Sequence, residues 1–147
     1  KDRFRVIFIV MKQYIRKINY HETDKMAVVH HSNYVKFMEE SRVDFLHQIG
    51  IEYEDFEADG LVSPVVKLDG EYKTPARFGD TLTINVFQSE YSGARLGYSY
   101  EMYNQDNKLV CRAKSQHCFI FNNRICSLQN NFEKYHKLLL DSLEEAH

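Results

Sequence analysis

The first interpretable pattern lies in 11–20, MKQYIRKINY, where Tyr14, Arg16, Ile18 and Tyr20 alternate with Ile15, Lys17 and Asn19. Neither set is cleanly apolar, but the β-branched and aromatic content predicts a strand. After Ser32 the period changes. Tyr34, Val35, Phe37, Met38, Phe45, Leu46 and Ile49 recur at helical spacing and Gly50 follows. This predicts a helix of about five turns from Ser32 to Ile49, capped by Ser32 or a neighbour and stopped by Gly50. A short helical piece is expected over Tyr53 to Ala58. Strands follow at 61–74, with an interruption near Asp69-Gly70, then around Leu82, Ile84 and Val86, and around Leu96, Tyr98, Tyr100 and Met102. A polar turn at 105–108 leads to a last strand over 109–121, with Cys111, Ala113, Ser115, His117 and Phe119 on one face. Phe132, Tyr135, Leu138, Leu139 and Leu143 predict an amphipathic closing helix. The order reads as an α+β domain in which four strands form an antiparallel meander. Because the first helix is apolar over much of its circumference, the sheet is expected to curve around it.

Length and composition narrow the class. A chain of 147 residues, 44% hydrophobic and 27% charged, suits one domain able to bury its own core. The formal charge of −2 supplies no general attraction to a phosphate backbone, which argues against nucleic acid as a partner. Ten Tyr and ten Phe with no Trp suit a sheet or an interface. Three cysteines with no CxxC pair leave an odd thiol, so a reducing, cytoplasmic location is expected. The longest apolar run, Val6 to Met11, is too short for a membrane span. Lys1, Arg3 and Arg5 imitate the start of a signal peptide, but no small-residue cleavage site follows. Met11 reads as a natural start, with 1–10 an upstream extension or expression remnant and 11–147 the single domain.

The densest chemistry is the run His21-Glu22-Thr23-Asp24, followed by His30-His31-Ser32-Asn33-Tyr34, between a strand and a helix start. Unpaired N–H groups at a helix N-terminus stabilise negative charge developing on a carbonyl oxygen, and a nearby carboxylate serves as nucleophile or general base. Together they suit hydrolysis of an acyl group. A turn organised by Thr23-Asp24 is the structural alternative. These side chains include metal-ligand types but no HExxH, so no metal site is expected.

Tyr20 to Asp24, Val28 to Tyr34, and Phe37-Met38-Glu39 with Arg42, followed by Tyr72-Lys73-Thr74-Pro75-Ala76-Arg77-Phe78-Gly79-Asp80, resemble the hotdog-fold acyl-CoA thioesterases of the 4-hydroxybenzoyl-CoA thioesterase type. The resemblance spans roughly 12–121. It implies a long central helix wrapped by a curved antiparallel sheet, and protomers joined edge to edge as a homodimer or homotetramer with sites at the interface. It also implies Asp24 as nucleophile or base, and the backbone N–H of His31 as oxyanion donor. No cofactor is implied, since CoA is part of the substrate. Asn33 and Tyr34 match the family pattern, and Arg77 is placed to meet a CoA phosphate. Glu39 is a second carboxylate candidate, read instead as a structural partner of Arg42 one turn on. His117 is read as a satisfied sheet histidine. The family commonly has Gly where this chain has Ala27, which raises the question of a positive φ there. The rival readings are a thioesterase acting on acyl carrier protein and a module that binds acyl thioesters without cleaving them.

Overall fold

The computed structural model describes residues 11–144, so the expectations for 1–10 and the last three residues lie outside it. Its strands are β1 (Met11–Lys17), β2 (Leu61–Val62), β3 (Val65–Tyr72), β4 (Thr81–Tyr91), β5 (Arg95–Tyr103), β6 (Leu109–Cys118), β7 (Ile120–Phe121) and β8 (Arg124–Ile125). Its helices are α1 (Ser32–Gln48), α2 (Tyr53–Ala58), α3 (Leu128–Asn131) and α4 (Glu133–Glu144), and a 3-10 turn spans Tyr20–Glu22. The main sheet is antiparallel in the order β1-β4-β5-β6-β3, and β2, β7 and β8 make a small second sheet. This is the α+β hotdog architecture, with α1 as its long helix.

Alternation decides which strand face is buried. Leu82, Ile84 and Val86 of β4 and Leu96, Tyr98, Tyr100 and Met102 of β5 are buried together with Phe37, Met38 and Phe45 of α1. Gly50, at φ +98°, follows the end of α1, as its position after the last apolar residue implied.

Three expectations need correction and a fourth is narrowed. The strands are not a simple meander: β4, β5 and β6 are consecutive neighbours, but β3 crosses to the far edge beside β6. The break in the 61–74 strand falls at Ser63-Pro64, where proline has no N–H for a ladder, and the register slips between Val65 and Lys67. Asp69 and Gly70 pair regularly with Lys114 and Ala113. Strand β1 ends at Lys17, and Tyr20 turns outward to 75% exposure in the 3-10 turn. Finally, of Ser32 or a neighbour as the cap, the neighbour holds: His31 is the N-cap residue, and the ring of His30 meets Ser32, its Nδ1 accepting the Ser32 N–H at 3.2 Å and lying 2.8 Å from the Ser32 hydroxyl. Ser32 is itself the first helical residue.

Candidate active site

The approach to α1 is built on Arg16. Its Nη2 donates to both Glu22 carboxylate oxygens at 2.6 Å, its Nη1 reaches Glu40 of α1 at 3.0 and 3.1 Å, and its guanidinium lies 4.1 Å from the Phe37 ring centre. Burial pushes the Glu22 carboxyl up, but the Asn19 N–H and Arg16 outweigh it and hold the group below the ordinary carboxylate range. The backbone carbonyl of Glu22 accepts the His30 N–H at 3.2 Å and the Asn33 side-chain amide at 2.8 Å. One arginine thus joins β1, the 3-10 turn and the start of α1. Glu22, one of the two carboxylates in the His21–Asp24 run, is turned inward as a structural group.

From this clamp a tight hairpin carries Asp24. Thr23 pairs with Val29, the Asp24 N–H donates to Val28, and the Ala27 N–H donates to Asp24, each of the latter bonds at 2.9 Å. The Asp24 side chain organises the turn, because its Oδ1 accepts the Met26 N–H at 2.8 Å. Its second carboxylate oxygen has no hydrogen-bond partner among the described residues, and the residue is exposed. The turn reading of Asp24 therefore holds for one oxygen and leaves the other free for chemistry.

Ala27 has φ +64°, the left-handed conformation that normally falls to glycine. The positive φ that the resemblance raised as a question is therefore present, and Ala27 holds it under strain of about 1–2 kcal/mol. Ala27→Gly is expected to raise stability by about 0.5–1 kcal/mol, less than the strain because glycine also gains freedom in the unfolded chain. Thermal unfolding measures it; a fall in Tm would show that Ala27 is not strained.

The remaining candidates gather nearby. Asn33 and Tyr34 donate their backbone N–H groups to His30 and His31, and Ser32 donates to the His30 ring. The His31 N–H has no partner among the described residues and is the open donor at this helix start. The His30 and His31 rings stack at 4.4 Å. Tyr34 is buried against Tyr72 of β3 at 5.3 Å, and burial pushes its hydroxyl up to about 12. The Asn33 side chain is spent on Glu22, as above. Arg77 is exposed, and its backbone pairs with Val28, placing it beside the Asp24 hairpin. Among the described residues no three His, Cys, Asp or Glu side chains gather as a metal site.

Farther along α1 the expected Glu39–Arg42 pair is absent. Arg42 turns inward and its Nη1 donates to the Tyr100 hydroxyl at 3.2 Å. Tyr100 lies 2.6 Å from the Ser115 hydroxyl, and Ser115 lies 2.8 Å from His117 Nε2. Arg42 can only donate to Tyr100, while the Tyr100–Ser115 and Ser115–His117 bonds take their direction from the His117 tautomer. Backbone carbonyls of Ser63 and Pro64 also lie near the imidazole. Burial, then Arg42, pushes the His117 pKa down to about 4, so the ring is neutral at pH 7. His117 is the satisfied sheet histidine expected; the chain leading to it spans three elements and has no local sequence signal.

Comparison with known proteins places this geometry among relatives. A family model described as the thioesterase-like superfamily matches residues 18–134. YneP of Bacillus subtilis, which carries an acyl-CoA thioesterase assignment, is 36% identical over 69% of this chain and 73% of its own length. The acyl-CoA thioester hydrolase YbgC of Escherichia coli is 30% identical over 67% of this chain and 73% of its own. Among solved structures, the DHNA-CoA thioesterase of Staphylococcus aureus superposes with a TM-score of 0.87 at 27% identity, covering 92% of this chain and 93% of that one.

Proposed function

The chain belongs to the thioesterase-like superfamily, and from that premise we propose that it is an acyl-CoA thioesterase whose reaction is carried by Asp24 and the backbone N–H of His31. It hydrolyses an acyl-CoA thioester to a carboxylic acid and free CoA. The supporting observation is the hairpin that holds Asp24 with one carboxylate oxygen free, joined through Glu22 to the helix start where the His31 N–H is open. The free oxygen attacks the thioester carbonyl or takes a proton from attacking water. The oxyanion that forms is met by the His31 N–H at the positive end of α1. Collapse expels the CoA thiolate, a good leaving group; where water attacks, the acid leaves directly, and where Asp24 attacks, the acyl group stays on its carboxylate as an anhydride until water hydrolyses it to the free acid and restores Asp24. These steps need one carboxylate and one donor, with CoA entering as part of the substrate. We read the chain as of the 4-hydroxybenzoyl-CoA thioesterase type, a reading supported by the position of Asp24 in the loop ahead of α1. Arg77, exposed beside the hairpin, meets a CoA phosphate, and Tyr34 with Tyr72 borders the start of the acyl path.

All eight residues of β3 are exposed, including Val65, Val66, Leu68 and Tyr72, and β3 is an open sheet edge. Apolar side chains along a strand whose outer edge is unpaired fit pairing with a second copy, giving a homodimer or a pair of dimers that native mass spectrometry distinguishes. No helix among the described residues is long and apolar enough to cross a membrane, and the working location is the cytoplasm.

The test is thiol release across short, long and aromatic acyl-CoAs, with the same acyl groups on acyl carrier protein in parallel. Release of CoA at catalytic rates is expected. Tight retention of acyl-CoA without release would replace the enzyme with a binding module, and cleavage confined to the carrier protein would change the substrate.

A further inference from the structure

Between α1, α2, β5 and the start of β3 lies a cavity of about 270 Å³. Its walls are largely apolar, with Val43, Leu46, Phe56, Val65 and Phe119, but one end holds Arg42, Tyr98 and His117. We propose that this cavity receives the far end of the acyl group and selects acyl chains that end in a hydrogen-bond-accepting oxygen, carboxylate before hydroxyl. The inference rests on the thioesterase reading and adds a substrate class to it.

Three observations carry it. Arg42 is half-buried, makes one hydrogen bond, to Tyr100, and has no ion pair with any described carboxylate. Glu39 lines the same cavity from the exposed side of α1 without pairing to it. A partly desolvated guanidinium with open donors is a receptor for oxygen acceptors. Next, the Tyr98 hydroxyl is buried with no partner, and it lies where Arg42, Tyr100 and Tyr53 act on it electrostatically. A buried hydroxyl is ordinarily bonded, so this one lacks the acceptor that burial normally requires. It bonds to none of Tyr100, Ser115 and His117. Lastly, the same two elements, α1 and β3, border both places. Val65 at the start of β3 lines the cavity with Val43, while Tyr72 at its end packs on Tyr34 and lies 6.1 Å from His31. Exposed Val35, Val43 and Leu68 lie on these two elements. From His31 to Arg42 the helix rises about 16 Å, and helical side chains lean toward the N-terminus, which shortens the span for the arginine head.

The test uses matched pairs on CoA: hexanoyl with adipoyl, octanoyl with suberoyl, decanoyl with sebacoyl, and the ω-hydroxy acyl of each length. The parent is expected to favour an oxygen-ended member by at least tenfold in kcat/KM at one or more lengths, with the carboxylate arm above the hydroxyl arm. Arg42→Met is expected to bring that ratio to within twofold while methyl-ended substrates are cleaved as before. Tyr98→Phe guards against misfolding of the first variant. It removes a hydroxyl that bonds nothing in the free protein, so Tm is expected to hold or rise while the ratio falls at least threefold. A parent ratio within twofold at every length overturns the proposal. So does a ratio that survives both substitutions, or an Arg42→Met variant that changes only the oligomeric state, which would assign Arg42 to a protein interface. If the parent cleaves no acyl-CoA, the thioesterase reading fails by itself; calorimetry with non-hydrolysable thioether analogues of the same pairs then decides the cavity by the same ratios.

Discussion

Asp24→Asn is expected to give a folded protein whose turnover of every acyl-CoA substrate falls by about 10²–10⁴-fold. The substitution is selective because of the two jobs that the carboxylate divides between its oxygens. Oδ1 accepts the Met26 N–H at 2.8 Å and shapes the turn. An asparagine carbonyl oxygen can do the same, since Asn, like Asp, forms this kind of turn. The free oxygen is replaced by an amide nitrogen, which can neither attack a thioester nor accept a proton from water. Thermal unfolding should therefore agree with the parent while thiol release collapses. Turnover near the parent's on each acyl-CoA would remove Asp24 from the reaction and leave it a turn residue. Loss of stability and activity together would mean that the hairpin depends on the charge, and Asp24→Ser, which keeps a turn acceptor, would then separate the two.

A second large effect is expected at Arg16. The Arg16 and Glu22 side chains are each 10% exposed, so removal of the cation strands a buried carboxylate. Breaking such a pair from one side is strongly destabilising, and Arg16→Met is expected to lose about 3 kcal/mol, or about 10 °C in Tm. The effect carries a pH signature. In the parent, Glu22 is held below its unfolded value, so its contribution is complete above the unfolded carboxylate pKa and is lost as pH falls through the lower folded one. Without Arg16, burial dominates and the folded pKa rises above the unfolded value. The variant is then least penalised in acid, where Glu22 is neutral, and most penalised near neutrality. Urea unfolding at pH 4 and pH 7 measures the difference. An equal loss at both pH values would show that Arg16 acts by packing on Phe37 and not through charge.

How far the chain could be read in advance follows from the range of each interaction. Helix α1 was legible because an apolar period and Gly50 are local signals, and α2 matched its expected Tyr53–Ala58 span. The Asp24 hairpin was legible as a turn, and the same residues raised the reactive acid that the proposal takes up. Its strain was visible only as the absence of glycine at Ala27. The place of β3 was not legible from pattern, because order in a sheet is set by pairing between distant segments. Spacing also misled at Glu39 and Arg42. They stand one turn apart, but Arg42 finds a better acceptor in Tyr100, 58 residues on. The Arg16 clamp joins a strand, a turn and a helix, so no single period announces it.

The chain from Arg42 to His117 has a further consequence. Its hydrogens are set from the far end: the tautomer of His117 decides whether Ser115 donates to Nε2 or accepts from it. Ser115→Ala would do more than delete a hydroxyl. It would cut the line in two, leaving the Tyr100 hydroxyl and His117 Nε2 without the partner they share. The tautomer of one and the rotor of the other would then no longer be tied together.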